Sequence, residues 1–317
     1  NKMKLFLVLM FYFAHADEGL NFLVLGDWGG LPTAPFSTDI EDGTSKQMSI
    51  IADKYKVDFV VALGDNFYFD GVKNEHDPRF EQTFHSVFNE PSLQVPWYLI
   101  AGNHDHHGNV SGQIAYSSHM KFWNFPDFWY SKKWTLPNSS RTLQLVMLDT
   151  IILCGNTGYD DSLMQPSGPK DEKLSENQWN WLEQQLASSK ADYLIVSGHF
   201  PVWSIAEHGP TKCLVKRLKP LLEKYNVTAY LNGHDHNLQH LVDSGIHYYV
   251  IGASNFIKYD KTNAKKVPKG SLQFFWADES KLGSFALINV SNEFLKLSMI
   301  DSSGLCLHEQ TMQPRNT

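Results

Sequence analysis

Five short blocks of the sequence carry residues that can hold metal ions and move protons. They are Gly26-Asp27-Trp28-Gly29, Gly64-Asp65-Asn66-Phe67-Tyr68, Gly102-Asn103-His104-Asp105, Val196-Ser197-Gly198-His199 and Gly233-His234-Asp235-His236. Each block offers carboxylate, amide, phenol or imidazole donors, and none offers a thiolate. Such a set suits iron, manganese or zinc at a reactive centre rather than a structural cysteine site. A lone Asp after a strand is ordinarily a turn residue or helix cap, and a single His-x-His is ordinarily surface. Five such clusters in one chain are not explained that way. Each stands directly after a short apolar run, where glycine permits a tight turn. In open α/β sheets ligands bind at the carboxyl ends of strands. The blocks therefore converge on one site if the apolar runs before them are strands.

The runs have the form that strands buried on both faces require. Residues 22–25, 59–63, 97–100, 145–148, 193–196 and 229–231 are continuous and rich in Val, Leu and Ile instead of alternating with polar residues. Between them lie helical patterns. One covers about residues 45–55. A second opens at Ser175-x-x-Gln178, which reads as a capping box followed by Trp179, Leu182 and Leu186 on one side. A third covers 212–225 with Leu214, Leu218, Leu221 and Leu222 apolar, and Pro220 inside it is a point where it could kink or restart. The last third is richer in strands, with hairpins expected at 238–251 and 285–299. Strands alternating with helices give an α/β fold. The expectation is one domain of two packed mixed β-sheets flanked by helices, over residues 17–317. Two stretches, 155–173 and 258–269, read as surface loops, and the first is long enough to suggest a function.

The 317 residues are 42% apolar and 19% charged with a net charge of −7, which supports a full core and argues against a nucleic-acid partner. A basic start, the apolar run 5–13 and Ala14-His15-Ala16 read as a secretory signal peptide over residues 1–16. That run is less than half of the roughly 20 apolar residues a spanning helix needs, so no membrane anchor is expected. A secreted or lysosomal protein fits the four glycosylation acceptors Asn109, Asn138, Asn226 and Asn289, of which Asn226, just before a strand, is the weakest. Export also permits a disulfide between two of Cys154, Cys213 and Cys306. Sequence leaves three pairings open. Cys154–Cys213 is the one expected here; it would close a loop of about 60 residues and stabilise the fold by roughly 3–5 kcal/mol.

The ordered blocks GDxG, GDxxY, GNH(D/E), VxxH and GHxH resemble the signature of the purple acid phosphatases, within the metallophosphoesterase superfamily. Many members of that superfamily have His two residues after the first Asp. Gly29 stands there in this chain, and Tyr68 is present, as in the purple enzymes. The short chain, and His208 nine residues after His199, resemble the small animal, tartrate-resistant type. The resemblance implies a dinuclear Fe(III)–M(II) centre, with Fe(II) favoured and Zn or Mn as alternatives for M. Asp27, Tyr68 and His236 would hold one ion, Asn103, His199 and His234 the other, and Asp65 would bridge. It further implies a purple or pink colour from tyrosinate-to-iron charge transfer, and hydrolysis of phosphate monoesters by attack of metal-bound hydroxide. His104 and His208, with Asn103, would bind phosphate, and the two histidines would serve as proton donors. Asp105 is expected to orient a nearby imidazole. The 155–173 loop is similar to a repression loop cut by an activating protease, with Asp160 and Asp161 reaching toward the metals.

The substrate expected is a phosphoprotein or a small aryl or alkyl phosphate. A nucleotide, diester or pyrophosphate substrate would use the same motifs. A secreted iron carrier would need the ligands but not His104 and His208, which argues against that reading.

Overall fold

The computed structural model describes residues 19–158 and 165–315. The expected signal peptide, Asp160 and Asp161 lie outside the described residues.

The chain runs β1 (Leu20–Leu25), α1 (Asp39–Tyr55), β2 (Phe59–Ala62), β3 (Trp97–Leu99), α2 (Val110–Tyr116), β4 (Trp123–Asn124), β5 (Tyr130–Thr135) and β6 (Thr142–Met147). It continues through α3 (Thr150–Cys154), α4 (Glu172–Ser188), β7 (Tyr193–Ser197), α5 (Lys212–Lys224), β8 (Ala229–Asn232), β9 (Leu238–Asp243) and β10 (Ile246–Ile251). The last strands are β11 (Leu272–Trp276), β12 (Ser284–Val290), β13 (Leu295–Asp301) and β14 (Cys306–Met312). They form two seven-stranded mixed sheets, ordered β14-β13-β12-β1-β2-β3-β4 and β11-β9-β10-β8-β7-β6-β5. In the first sheet β1 to β4 are parallel, and in the second β6, β7, β8 and β10 are parallel. The parallel segments carry the five sequence blocks.

Burial on both faces explains the unbroken apolar runs. In β1, Phe22 and Val24 join Val61, Ile195 and Leu231 in the core between the sheets. Leu23 and Leu25 turn the other way, into a layer with Met48, Ile51 and Phe84. The second sheet does the same: Val196 and Tyr230 pack outward on Trp179, Leu182 and Leu218 of α4 and α5. Residues of these central strands thus have an apolar layer on either face.

Three expectations change. The first helix begins at Asp39, because Thr38 caps it by accepting a bond of 3.0 Å from the Glu41 N–H. Ser175 does not cap α4. That helix opens at Glu172 with Asp171 accepting from the Leu174 N–H, and Ser175 and Gln178 are buried inside it. Ser175 donates to the Leu153 carbonyl, and Gln178 both accepts from and donates to the Asp149 backbone, so the pair ties α4 to α3. Pro220 does not end or restart α5, which runs on to Lys224 with Pro220 on its exposed side. The disulfide joins Cys154 to Cys213, with Cα atoms 5.8 Å apart, and links the end of α3 to the start of α5. Cys306 is free and exposed. Among the described residues, no helix is long and apolar enough to cross a membrane.

Candidate dinuclear metal centre

Asp27, Asp65, Asn103, His199 and His234 all follow strand ends, and the turns that place them use unusual backbone. Asp27, Asp65 and His234 have φ of 58°, 51° and 73°, in the left-handed region that costs energy for any residue but glycine. Such positions persist where the surrounding structure over-determines them, and they concentrate at functional sites. The glycines beside them make room. A Cβ on Gly233 would stand 2.2 Å from Asp27 Oδ2, and one on Gly102 would stand 2.1 Å from Asp65 Oδ1. Neither position can carry a side chain without moving a carboxylate.

The donors fall into two neighbouring sets. In the first, the Tyr68 hydroxyl is 3.2 Å from Asp27 Oδ1 and 3.1 Å from His236 Nε2, and His236 Nε2 is 3.6 Å from Asp27 Oδ1. In the second, His199 Nε2 is 2.9 Å from Asn103 Oδ1 and 3.4 Å from Asp65 Oδ2. One donor atom each of Asp65, His199 and His234 lies within 4.8 Å of the others. Donors around a single ion at about 2.1 Å stand roughly 3–3.5 Å apart, so both sets have near-ligating spacing. The sets are joined by the His234 N–H, which donates to Asp27 Oδ2 at 2.8 Å. His199 Nδ1 donates to the Leu63 carbonyl at 2.9 Å, so Nε2 is the ring nitrogen that faces the other donors.

The electrostatics call for cations. Asp27 and Asp65 are fully buried, and among the described residues their only ion-pair partners are His236 and His199. Burial opposes charge on His199, but the Asp65 charge and hydrogen bond outweigh it and pull the imidazole up to about 9. Burial, then the charges of Asp27 and Asp65, push the Tyr68 hydroxyl far above its usual range. Ionising that phenol requires a nearby positive ion. Burial first, and then the surrounding imidazoles, hold His234 well below its usual value, which favours the neutral imidazole that a metal ion takes. The donor chemistry fits two metal ions: one set anionic, with a phenol and carboxylate, and the other mostly neutral, with imidazole and amide.

Two histidines flank these donors. The His104 N–H donates to Asp65 Oδ1, and its Nδ1 donates to the Phe69 carbonyl at 2.8 Å. Its ring centre is 4.8 Å from that of Tyr68. The His208 ring centre lies 3.9 Å from that of His234, with the planes tilted by 32°, and its Nδ1 donates at 2.8 Å to Asp235 Oδ1. Both bonds place the exchangeable site on Nε2. Asp235, fully buried, also accepts from Ser204; burial opposes its charge, but His208 outweighs that and holds it below the usual carboxylate value. Sequence reasoning missed Asp235, although it stands between the two metal histidines of its own block.

The site conforms to the phosphoesterase pattern, and comparison with known proteins agrees. The calcineurin-like phosphoesterase family model matches residues 20–238. The chain belongs to that family. The chain is 49% identical to tartrate-resistant acid phosphatase type 5 of Homo sapiens, over 95% of this chain and 92% of that one. It is 31% identical to purple acid phosphatase 7 of Arabidopsis thaliana, over 95% of this chain and 88% of that one. A solved structure described as GAP50, the anchor in the inner membrane complex of Plasmodium, shares the fold with a TM-score of 0.81 at 24% identity, covering 94% and 90% of the two chains. This calcineurin-like phosphoesterase is a hydrolase, and its relatives are acid phosphatases.

Other expected residues find their places. Asp105 hydrogen-bonds no imidazole among the described residues; it accepts from the Gly102 and Asn66 N–H groups and from Gln113, and so shapes the turn that carries Asn103. His106 donates instead to Asp149, at 2.7 Å. Asn109, Asn138 and Asn226 are exposed, whereas Asn289 lies within β12, half-buried, with its amide bonded to Asn21. The described flanks of the 155–173 loop are bonded beside the centre. Asn156 donates to the Asn103 carbonyl, and Gln165 donates to the carbonyls of His208 and Pro210.

Proposed function

We propose that this phosphoesterase is an acid phosphomonoesterase acting through an Fe(III)–M(II) pair, with iron(II), zinc or manganese as M, on phosphoproteins and small aryl or alkyl phosphates. The observation that carries the proposal is the coexistence of two complete donor sets with two oriented histidines beside them. The shared fold alone would not decide, because a similar fold is found in a protein described as an anchor. A carrier would need only the donors.

Asp27, Tyr68 and His236 would hold the trivalent ion, Asn103, His199 and His234 the divalent one, and Asp65 would bridge. When bound, the ions supply Lewis-acid charge to the phosphoryl oxygens and acidify water. The chain supplies the rest. The Nε2 protons of His104 and His208 would hold phosphate oxygens, and one would pass to the leaving alkoxide as the ester P–O bond breaks and water oxygen bonds to phosphorus, the proton given up by water passing to solvent and from there restoring the histidine. Asp235 fixes the His208 ring for that transfer. A cleft of about 620 Å³ opens beside His208, lined by Trp203, Lys212, Lys216 and Lys266 among others. Its cationic rim suits the acidic stretches of a phosphoprotein.

The anchoring of Asn156 and Gln165 supports a repressive role for the loop between them, relieved by a protease. Replacing Asp160 and Asp161 by Ala should raise turnover of uncut protein, and an unchanged rate before and after protease treatment would sink the idea. Export to the secretory pathway, and glycans on the exposed acceptors, belong to the same reading. Steady-state turnover of an aryl phosphate at acid pH by metal-loaded protein tests the main proposal. Turnover lost on His208→Gln, with metal retained, is expected; metal-loaded wild type without turnover would leave the carrier reading.

A further inference from the structure

Among the described residues, and apart from the groups that contain Asp65 and His208, one group of side chains has the composition of a metal site. Glu75, His76 and His119 each bring one donor atom, all within 4.8 Å of one another. His76 Nε2 is 3.8 Å from Glu75 Oε1, and the two imidazole rings are 5.2 Å apart. His119 is more than forty residues from the other two, so only the fold brings the three together.

The backbone beneath the cluster is well fixed. Asn74 accepts from the His76 N–H at 2.8 Å, and Asp77 accepts from the Lys73 N–H at 2.8 Å, which closes the loop on itself. Helix α2 lies directly on this loop: a Cβ on its Gly112 would stand 2.8 Å from the Asn74 Cα. The His119 N–H bonds the Tyr116 carbonyl just past the end of α2, and the Tyr116 ring stacks on buried Phe80 at 3.7 Å. Two rigid segments therefore present the donors, while the exposed His76 and His119 side chains keep freedom to close by about 1 Å.

We propose that Glu75, His76 and His119 form a third, separate metal site that takes a borderline divalent ion such as Zn2+. Two neutral imidazoles and one carboxylate are a common zinc donor set, with bonds of about 2.0–2.2 Å, and are a poor set for calcium, which takes oxygen ligands. His76 and His119 stand eight residues after Tyr68 and sixteen after Asn103, and among the described residues neither shares a hydrogen bond with a dinuclear donor. An ion here would staple the loop that follows Tyr68 to the segment that follows His104, tying together two of the strand-end excursions that carry the active site.

The test uses the metal-loaded, full-length enzyme dialysed against micromolar free Zn2+, with bound zinc and iron counted by elemental analysis. Wild type should hold one more zinc per chain than His76→Ala or His119→Ala, and Glu75→Gln should weaken that zinc without abolishing it. Calcium at the same concentration should not be retained. The aryl phosphatase rate of the variants should match wild type, which reports that they are folded and that the dinuclear centre is intact. Equal zinc counts in wild type and both histidine variants would overturn the proposal. So would loss of zinc only together with iron, since that would place the extra ion at the dinuclear centre.

Discussion

His240 should make the stability of this enzyme depend on pH in the range where it works. The residue lies on β9, fully buried, in the middle of a row of three imidazoles. Its Nδ1 is 2.9 Å from His308 Nε2 on β14 of the other sheet, and its Nε2 is 3.0 Å from His247 Nδ1 on β10. The Tyr249 ring lies flat against it at 4.4 Å. Burial, followed by the charges His247 and His308 would carry, holds His240 down to about 3. In the unfolded chain it would titrate near 6.5. Between those values the unfolded chain binds a proton that the folded chain refuses. The stability is therefore fully present above about pH 6.5 and falls as pH drops toward 3. At about pH 5 the loss from this one group is about 2 kcal/mol. For a domain of this size that is a Tm decrease of about 3 °C between about pH 7.5 and 5. The assay is the Tm of metal-loaded wild type and His240→Gln across that range by scanning calorimetry. Glutamine keeps a hydrogen-bonding side chain without a proton to gain, so the variant should lose about 3 °C less than wild type on acidification. Parallel pH slopes for the two proteins would refute the reasoning.

Three further outcomes follow from the geometry. Asp235→Asn removes the carboxylate that orients His208 but no metal donor, so kcat for an aryl phosphate should fall about 10–100-fold with metal content unchanged; a matching loss of metal would contradict the assignment. Gly233→Ala places a methyl 2.2 Å from Asp27 Oδ2 and should deplete iron while the circular dichroism stays native, an expectation that full iron content would overturn. The Cys154→Ser/Cys213→Ser double variant opens a loop of 59-residue separation and should lose about 4 kcal/mol in denaturant unfolding, and a loss below about 1 kcal/mol would refute it.

Much of the molecule was legible because two signals reinforced one another. The apolar runs ending at Leu25, Leu63, Ile100, Val196 and Leu231 are strands because each has an apolar layer on both sides, and the candidate metal-binding residues stand at their ends for the reason general to α/β sheets. What stayed hidden depends on partners distant in sequence. β5 and β11 carry mixed polar and aromatic residues because they are the two edge strands of the second sheet, so neither has the continuous apolar pattern. Ser175 and Gln178 look like a cap because spacing alone cannot reveal that the α3 backbone takes their hydrogen bonds. Asp235 was passed over because its role is set by His208, twenty-seven residues earlier, and not by its own motif.

The visible absorption spectrum tests the account's central claim most directly. Purified wild type should show a tyrosinate-to-iron band, and Tyr68→Phe should lose it while the chain remains folded. A colourless wild-type protein, or a band that survives Tyr68→Phe, would contradict the assignment of Tyr68, Asp27 and His236 to an iron(III) site.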